Sequence, residues 1–271
     1  MVLRTIKLWY LFYADNAADI ARFMQPDPLA TENHGVSPYI YCNSDPINFI
    51  DPTGEKVYYV DGTGKIISAE EAGKHQSFNM TELEAQYNNY DGIVIIDKNG
   101  RIVNQSEKFE EGSILSIKET NIKIGEKTDG TFTNMKVKGD KAAISVFKFL
   151  ADNITATNGI EIGLNLNGKY SFGSVNEVFT SHTASAIHGL DNVLNDKSIS
   201  KGIRHHIHSH PDTPIPSVID YDNMMNITGF EVKNSYRRAT FSVYYVRTKK
   251  FIRYKEGSRF VDHDHKIKRR K

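Results

Sequence analysis

Between Ile203 and Asp222 the chain reads IRHHIHSHPDTPIPSVIDYD, a stretch that holds four of its ten histidines. No other feature narrows the possible folds as sharply. Imidazoles clustered this closely repel one another when charged and lose hydration when buried without partners. Either they share a metal ion or they sit on a wet surface. On a strand, side chains alternate between faces, so His206, His208 and His210 point one way while Ile207 and Ser209 point the other. His205 then faces solvent or packing, and His206 is expected either to stand behind the ligands or to face the substrate. Pro211 stops the ladder, because it cannot donate a backbone hydrogen bond.

Two histidines at i and i+2 near a strand end can both reach one cation. A third ligand is available on the following helix. Ser217, preceded by Pro216, is a natural N-cap, and Asp220 lies three residues later, on a first turn that faces back toward the strand end. The same S-x-x-D spacing is a capping box, which needs no catalysis. Two imidazoles, one carboxylate and a water make a four-coordinate zinc site with an open position. Asp222 is a fallback ligand. A general base beside the bound water is also required, and Glu161 in NGIEIGLNLNG is the strongest carboxylate candidate. It begins a strand between Ile160 and Ile162, where half-burial at a sheet edge would raise its pKa. Glu177 in SVNEVFTS is the second choice. The single cysteine, Cys42, excludes a four-cysteine zinc site and an internal disulfide framework.

The 271 residues are enough for one good domain with additions or for two small ones. A formal net charge of +1 argues against a chain built wholly around a nucleic-acid backbone, so nucleic acid is not an expected partner. LWYLFY (8–13) is too short to span a bilayer and lacks a signal-peptide cleavage pattern, so neither a membrane span nor self-export is expected. Residues 1–55 carry five of the eight prolines, three of them after an aspartate, and show no sustained period. They read as an irregular Pro-rich segment. Residues 56–139 read as a β-rich spacer, with hairpins in KVYYVDGTGKII and GIVIIDKNGRIV. From 140 to 271 strands mix with helices. DKAAISVFKFLADNI places Ala143, Val146, Phe147 and Leu150 at helical spacing. ASAIHGLDNVLND and SVIDYDNMMNI read as further helices, and ATFSVYYVRTKKFIRYKEG reads as a closing hairpin. The expected class is α+β, a mixed sheet flanked by helices. The basic tail, KIKRRK, is expected to be a solvated end.

Two resemblances sharpen this reading. R-F-x-x-P-D-P-L, then S-P-Y-x-Y, then N-x-D-P-x-N-x-x-D-P-T-G (about 21–54) resembles the end of the Rhs repeat-associated core, which lies upstream of the toxin in bacterial polymorphic toxins. In that family the D-P-x-G end marks a self-cleavage site, and Asp45 and Asp51 occupy comparable positions, although Glu55 stands where leucine is often found. His208-Ser209-His210-Pro211 followed by Ser217-x-x-Asp220 resembles the signature of the JAB/JAMM (MPN-fold) metalloproteases, over about 140–257. That resemblance implies Zn2+ on His208, His210 and Asp220, Glu161 activating the water, and Ser217 stabilising the oxyanion. Nine residues separate His210 from Asp220, where ten is usual among eukaryotic members. Together the two resemblances imply a toxin effector delivered by a larger parent protein. It would cleave a peptide or isopeptide bond in a protein of the target cell, and a cognate immunity protein would be its partner. A metal-dependent nuclease toxin and an inactive remnant that binds an immunity protein are the rival readings.

Overall fold

A computed structural model describes residues 57–68, 71–72, 83, 86–87, 90–124, 128–168, 174–183, 202–233, 238–261 and 267–269. The Pro-rich segment, the expected self-cleavage site and the expected helix in ASAIHGLDNVLND lie outside these residues. The chain divides into two compact units, Met1–Lys56 and Val57–Lys271, and only the second is described.

The described unit is α+β. Its first sheet contains β1 (Val57–Asp61), β2 (Ile66–Ile67), β3 (Tyr90–Ile96), β4 (Ile102–Gln105) and β5 (Phe109–Glu110). The order is β2-β1-β3-β4, with β5 also pairing with β3. The two expected hairpins are its antiparallel pairs, β1–β2 and β3–β4, while β1 and β3 run parallel.

The second sheet holds β6 (Ile114–Ile124), β7 (Thr128–Lys138), β8 (Gly163–Asn167), β9 (Val175–Thr180), β10 (Ile203–His210), β11 (Thr240–Tyr245) and β12 (Lys250–Tyr254). Their order is β12-β11-β10-β8-β9-β7-β6. All pairs are antiparallel except β10–β11. A separate pair, β13 (Arg259–Val261) with β14 (Ile267–Arg269), closes the described chain.

The expected boundary at 139/140 therefore falls inside a sheet. The β6–β7 hairpin, read from sequence as part of a spacer, is the rim of the same sheet that carries the histidines. Strand period shows that a segment pairs, whereas the choice of partner is set by long-range packing.

Helix α1 (Asp140–Leu150) turns its buried Ala143, Val146, Phe147 and Leu150 inward, as the spacing predicts. It runs on through a π-helical turn, Ala151–Thr155, and a last turn, Ala156–Asn158. Gly159, with φ +69°, ends it in the left-handed conformation that glycine adopts without penalty. The α1 side chains share one continuous core with Leu164, Val178, Ile207 and Tyr244 of the large sheet and with Val60, Ile93 and Ile95 of the small one. Splitting residues 57–139 from 140–271 would cut that core.

The opposite face of the large sheet is covered by α2 (Val218–Lys233). Met224 and Ile227 of α2 pack against Phe132, Phe179, Ile203, Phe241, Val243 and Tyr254. Isoleucine, threonine and glycine in the middle of α2 are poor helix formers, so this packing and its N-terminal cap hold the helix.

Candidate metal centre

The strand reading of IRHHIHSH holds. Ile207 enters the α1 core, and Ser209 is fully buried. The rings of His206, His208 and His210 follow one another, with centroids 5.7 and 4.8 Å apart. His206, 3% exposed, sits between Phe179 and Phe241. Its Nδ1 lies 2.7 Å from Asn165 Oδ1 and must donate to it. Burial depresses its pKa to about 3, and neighbouring His208 adds to this, so it is a neutral wall beside the site. His205 turns away and bonds Ser242 Oγ at 2.9 Å.

At the C-terminal end of β10, His208 and His210 meet the first turn of α2. The capping box is formed: Asp220 N–H donates to Ser217 Oγ at 3.2 Å, and Ser217 N–H donates to Asp220 Oδ2 at 2.5 Å. That reciprocal pair turns the Asp220 carboxylate back toward the strand. Asp220 Oδ1 then lies 3.1 Å from His208 Nε2, and Oδ2 lies 3.2 Å from His210 Nε2. The two Nε2 atoms are 3.1 Å apart. All three residues are buried, and their ligand atoms fall within 4.8 Å of one another. This is the one group of three His, Cys, Asp or Glu found among the described residues that can hold a metal ion.

The donor set fits a metal. Two bare imidazole nitrogens 3.1 Å apart in a buried site repel unless a proton or a cation lies between them. His210 Nδ1 is 3.1 Å from the Thr213 carbonyl oxygen and donates to it, which leaves the Nε2 lone pair aimed at Asp220 and His208. Without an ion, His210 holds the proton. Burial opposes its charge, but Asp220, Glu161 and the Thr213 carbonyl outweigh it and raise its pKa to about 9. Asp220 lies well below the usual carboxylate range. Burial works against its charge, and the two histidines overcome it.

Glu161 joins this group. Its Oε1 is 3.6 Å from His210 Nε2. The residue is 5% exposed, and it precedes β8, an interior strand with β9 and β10 on either side. The expected half-buried sheet edge is thus a fully enclosed position. Burial pushes its pKa up to about 7, with His210 opposing and Asp220 reinforcing the rise. The second choice, Glu177, sits one row further back, opposite Asn165. Its carboxylate accepts from Asn134 Nδ2 at 2.9 Å and Asn167 Nδ2 at 3.4 Å. Asp222 is exposed on α2 and does not belong to the ligand group.

Sequence reasoning missed two contributors. Gly163 is the cross-strand partner of both His208 and Phe179. A Cβ there would lie 2.3 Å from the Phe179 ring, so glycine lets that ring lie across the sheet beside His206. Tyr254 packs edge-on against His208, with ring centroids 6.0 Å apart. A tyrosine that ends a strand, as in KFIRY, gives no signal for such a contact.

Residues 135–250 match the model of the family described as JAB-like toxin 1. No curated protein and no solved structure matches the chain. The matched stretch contains all of Glu161, His208, His210, Ser217 and Asp220 and supports a JAB-like toxin domain on this α+β unit. No described helix is long and apolar enough to cross a membrane.

Proposed function

We propose that the described unit is a zinc-dependent hydrolase that cleaves a peptide or isopeptide bond, and that it acts as a toxin effector. The convergence of His208, His210 and Asp220 in a buried site, with Glu161 3.6 Å from His210, carries the proposal. Two imidazoles and a carboxylate are the donor set of hydrolytic zinc sites, and they leave a position open. An ion bound there supplies Lewis acidity that brings a water's pKa toward neutrality and polarises a carbonyl.

The other parts of the reaction belong to the chain. Glu161 accepts a proton from the attacking water as its oxygen bonds to the carbonyl carbon. It then delivers that proton to the amine nitrogen as the C–N bond breaks. A carboxyl group poised near neutral pH suits both transfers. Ser217 Oγ accepts the Asp220 N–H, which leaves its own O–H available to the developing oxyanion. His206 stays neutral and keeps the wall of the site rigid. As a toxin of Rhs-type origin, the chain would reach its target cell within a larger parent protein, and a cognate immunity protein would be its partner.

The test is production of the chain inside bacterial cells. Wild type should arrest growth and generate new protein termini with nucleic acids intact. Glu161→Gln should keep its metal and lose arrest by about 10²-fold or more. Degraded RNA or DNA with an unchanged proteome would favour the nuclease reading. Full arrest by Glu161→Gln would remove Glu161 from the chemistry.

A further inference from the structure

The segment Ile160–Ile162, which carries Glu161, precedes β8, with an isolated bridge at Ile160 and none at Glu161. A chain of hydroxyl groups on the other face of the sheet ties it to the histidine strand. Ile162 N–H donates to Ser209 Oγ at 2.9 Å. Ser209 Oγ and Thr155 Oγ1 are 2.6 Å apart, and Thr155 Oγ1 donates to the Ile160 carbonyl oxygen at 2.6 Å. These bonds leave one consistent direction. Thr155 spends its proton on Ile160, so Ser209 must donate to Thr155 while accepting from Ile162. Ser209 N–H closes the loop by donating to the Ile162 carbonyl at 2.9 Å. Both hydroxyl residues are fully buried.

Three features make this more than packing. Ser209 lies between His208 and His210, so the residue that grips Ile162 is bonded covalently to both histidines. Thr155 is the last residue of the π-helical turn; an extra residue in a helix of this kind re-aims a side chain, often beside a functional site. The Glu161 carbonyl is held separately, by Thr180 Oγ1 at 2.9 Å. With its flanks and its own carbonyl fixed, Glu161 keeps only side-chain freedom.

We propose that Thr155 and Ser209 are positioning residues that set the place of Glu161 relative to His208 and His210. They touch no substrate. The catalytic part of this inference rests on the hydrolase reading above, whereas the placement itself does not. Misplacing a reacting group by about 1 Å costs about 10²-fold in rate.

The experiment uses the full chain as wild type, Ser209→Ala, Thr155→Val and Thr155→Ser. Three quantities are read: zinc per chain, hydrogen exchange at the Ile162 amide, and growth arrest. Ser209→Ala and Thr155→Val should keep wild-type zinc, exchange Ile162 at least about tenfold faster, and lose arrest by about 10²-fold. Thr155→Ser keeps the hydroxyl and should behave as wild type in all three. Wild-type exchange at Ile162 in Thr155→Val would overturn the proposal, as would full arrest with loosened exchange. Loss of zinc in Thr155→Val would overturn it as well, because the threonine would then support the ligands instead. If Glu161→Gln arrests growth like wild type, the hydrolase reading fails, and Ile162 exchange still decides whether the relay holds the segment.

Discussion

Gly163→Ala should damage the protein although it adds one methyl group to an ordinary strand position. The new Cβ would lie 2.3, 2.5 and 2.9 Å from three carbons of the Phe179 ring. The ring would have to retreat by roughly 1 Å to regain normal van der Waals contact. It has nowhere to go: Phe179 is 1% exposed, Phe132 lies 5.6 Å away on one side, and His206 lies 6.2 Å away on another. Overpacking of this kind costs about 1–3 kcal/mol. For a unit of this size, about 2 kcal/mol lowers the melting temperature by roughly 4–8 °C. Differential scanning calorimetry of wild type, Gly163→Ala, Phe179→Leu and the double variant measures it. Shrinking the ring should relieve the clash, so the double variant should be more stable than the sum of the two single costs by about 1 kcal/mol. An unchanged melting temperature in Gly163→Ala, or strict additivity, would refute the packing argument.

The pH dependence of the metal-free chain has a defined sign. His210 is raised from an ordinary 6.5 to about 9 in the folded state. The folded chain therefore binds the proton more tightly, and the stability it confers is complete below pH 6.5 and lost as pH rises through about 9. Glu161 is half-titrated near 7 and almost fully ionised about one pH unit higher, so a fall in melting temperature from about pH 8 to about 9 should belong to His210 and vanish in His210→Ala; a flat wild-type profile would contradict this. Zinc uptake at pH 7.5 should release that proton, seen as a calorimetric heat that varies with the buffer's ionisation enthalpy. The family-matched stretch alone, residues 135–250, lacks β6, most of β7 and nearly all of β12. It should fail to melt cooperatively, whereas residues 57–271 should melt in one transition; a cooperative 135–250 fragment would show that the shared core is dispensable.

Local chemistry was legible in the sequence, and long-range pairing was not. Alternation around His208 and His210, the stop at Pro211 and the Ser217–Asp220 cap are rules of neighbouring residues, and each is present in the fold. The helical spacing of Ala143, Val146, Phe147 and Leu150 is of the same kind. The partner of the β6–β7 hairpin was not legible, because its alternating strands suit either sheet and only the shared core around Val60, Met135 and Val146 decides. Thr155 and Ser209 were silent for a related reason. A buried hydroxyl has meaning only through its partner, and these two are 54 positions apart. A glycine in a strand carries no signal of its own, and Gly163 acquires its meaning from the Phe179 ring, which lies where a side chain would be.

The proposed function depends on His208, His210 and Asp220 holding one metal ion. Elemental mass spectrometry on the purified full chain, beside His208→Ala and Asp220→Ala, tests it most directly. Close to one zinc per wild-type chain is expected, and almost none in either variant. A wild-type chain that stays free of metal after zinc reconstitution would contradict it, as would variants that keep their zinc.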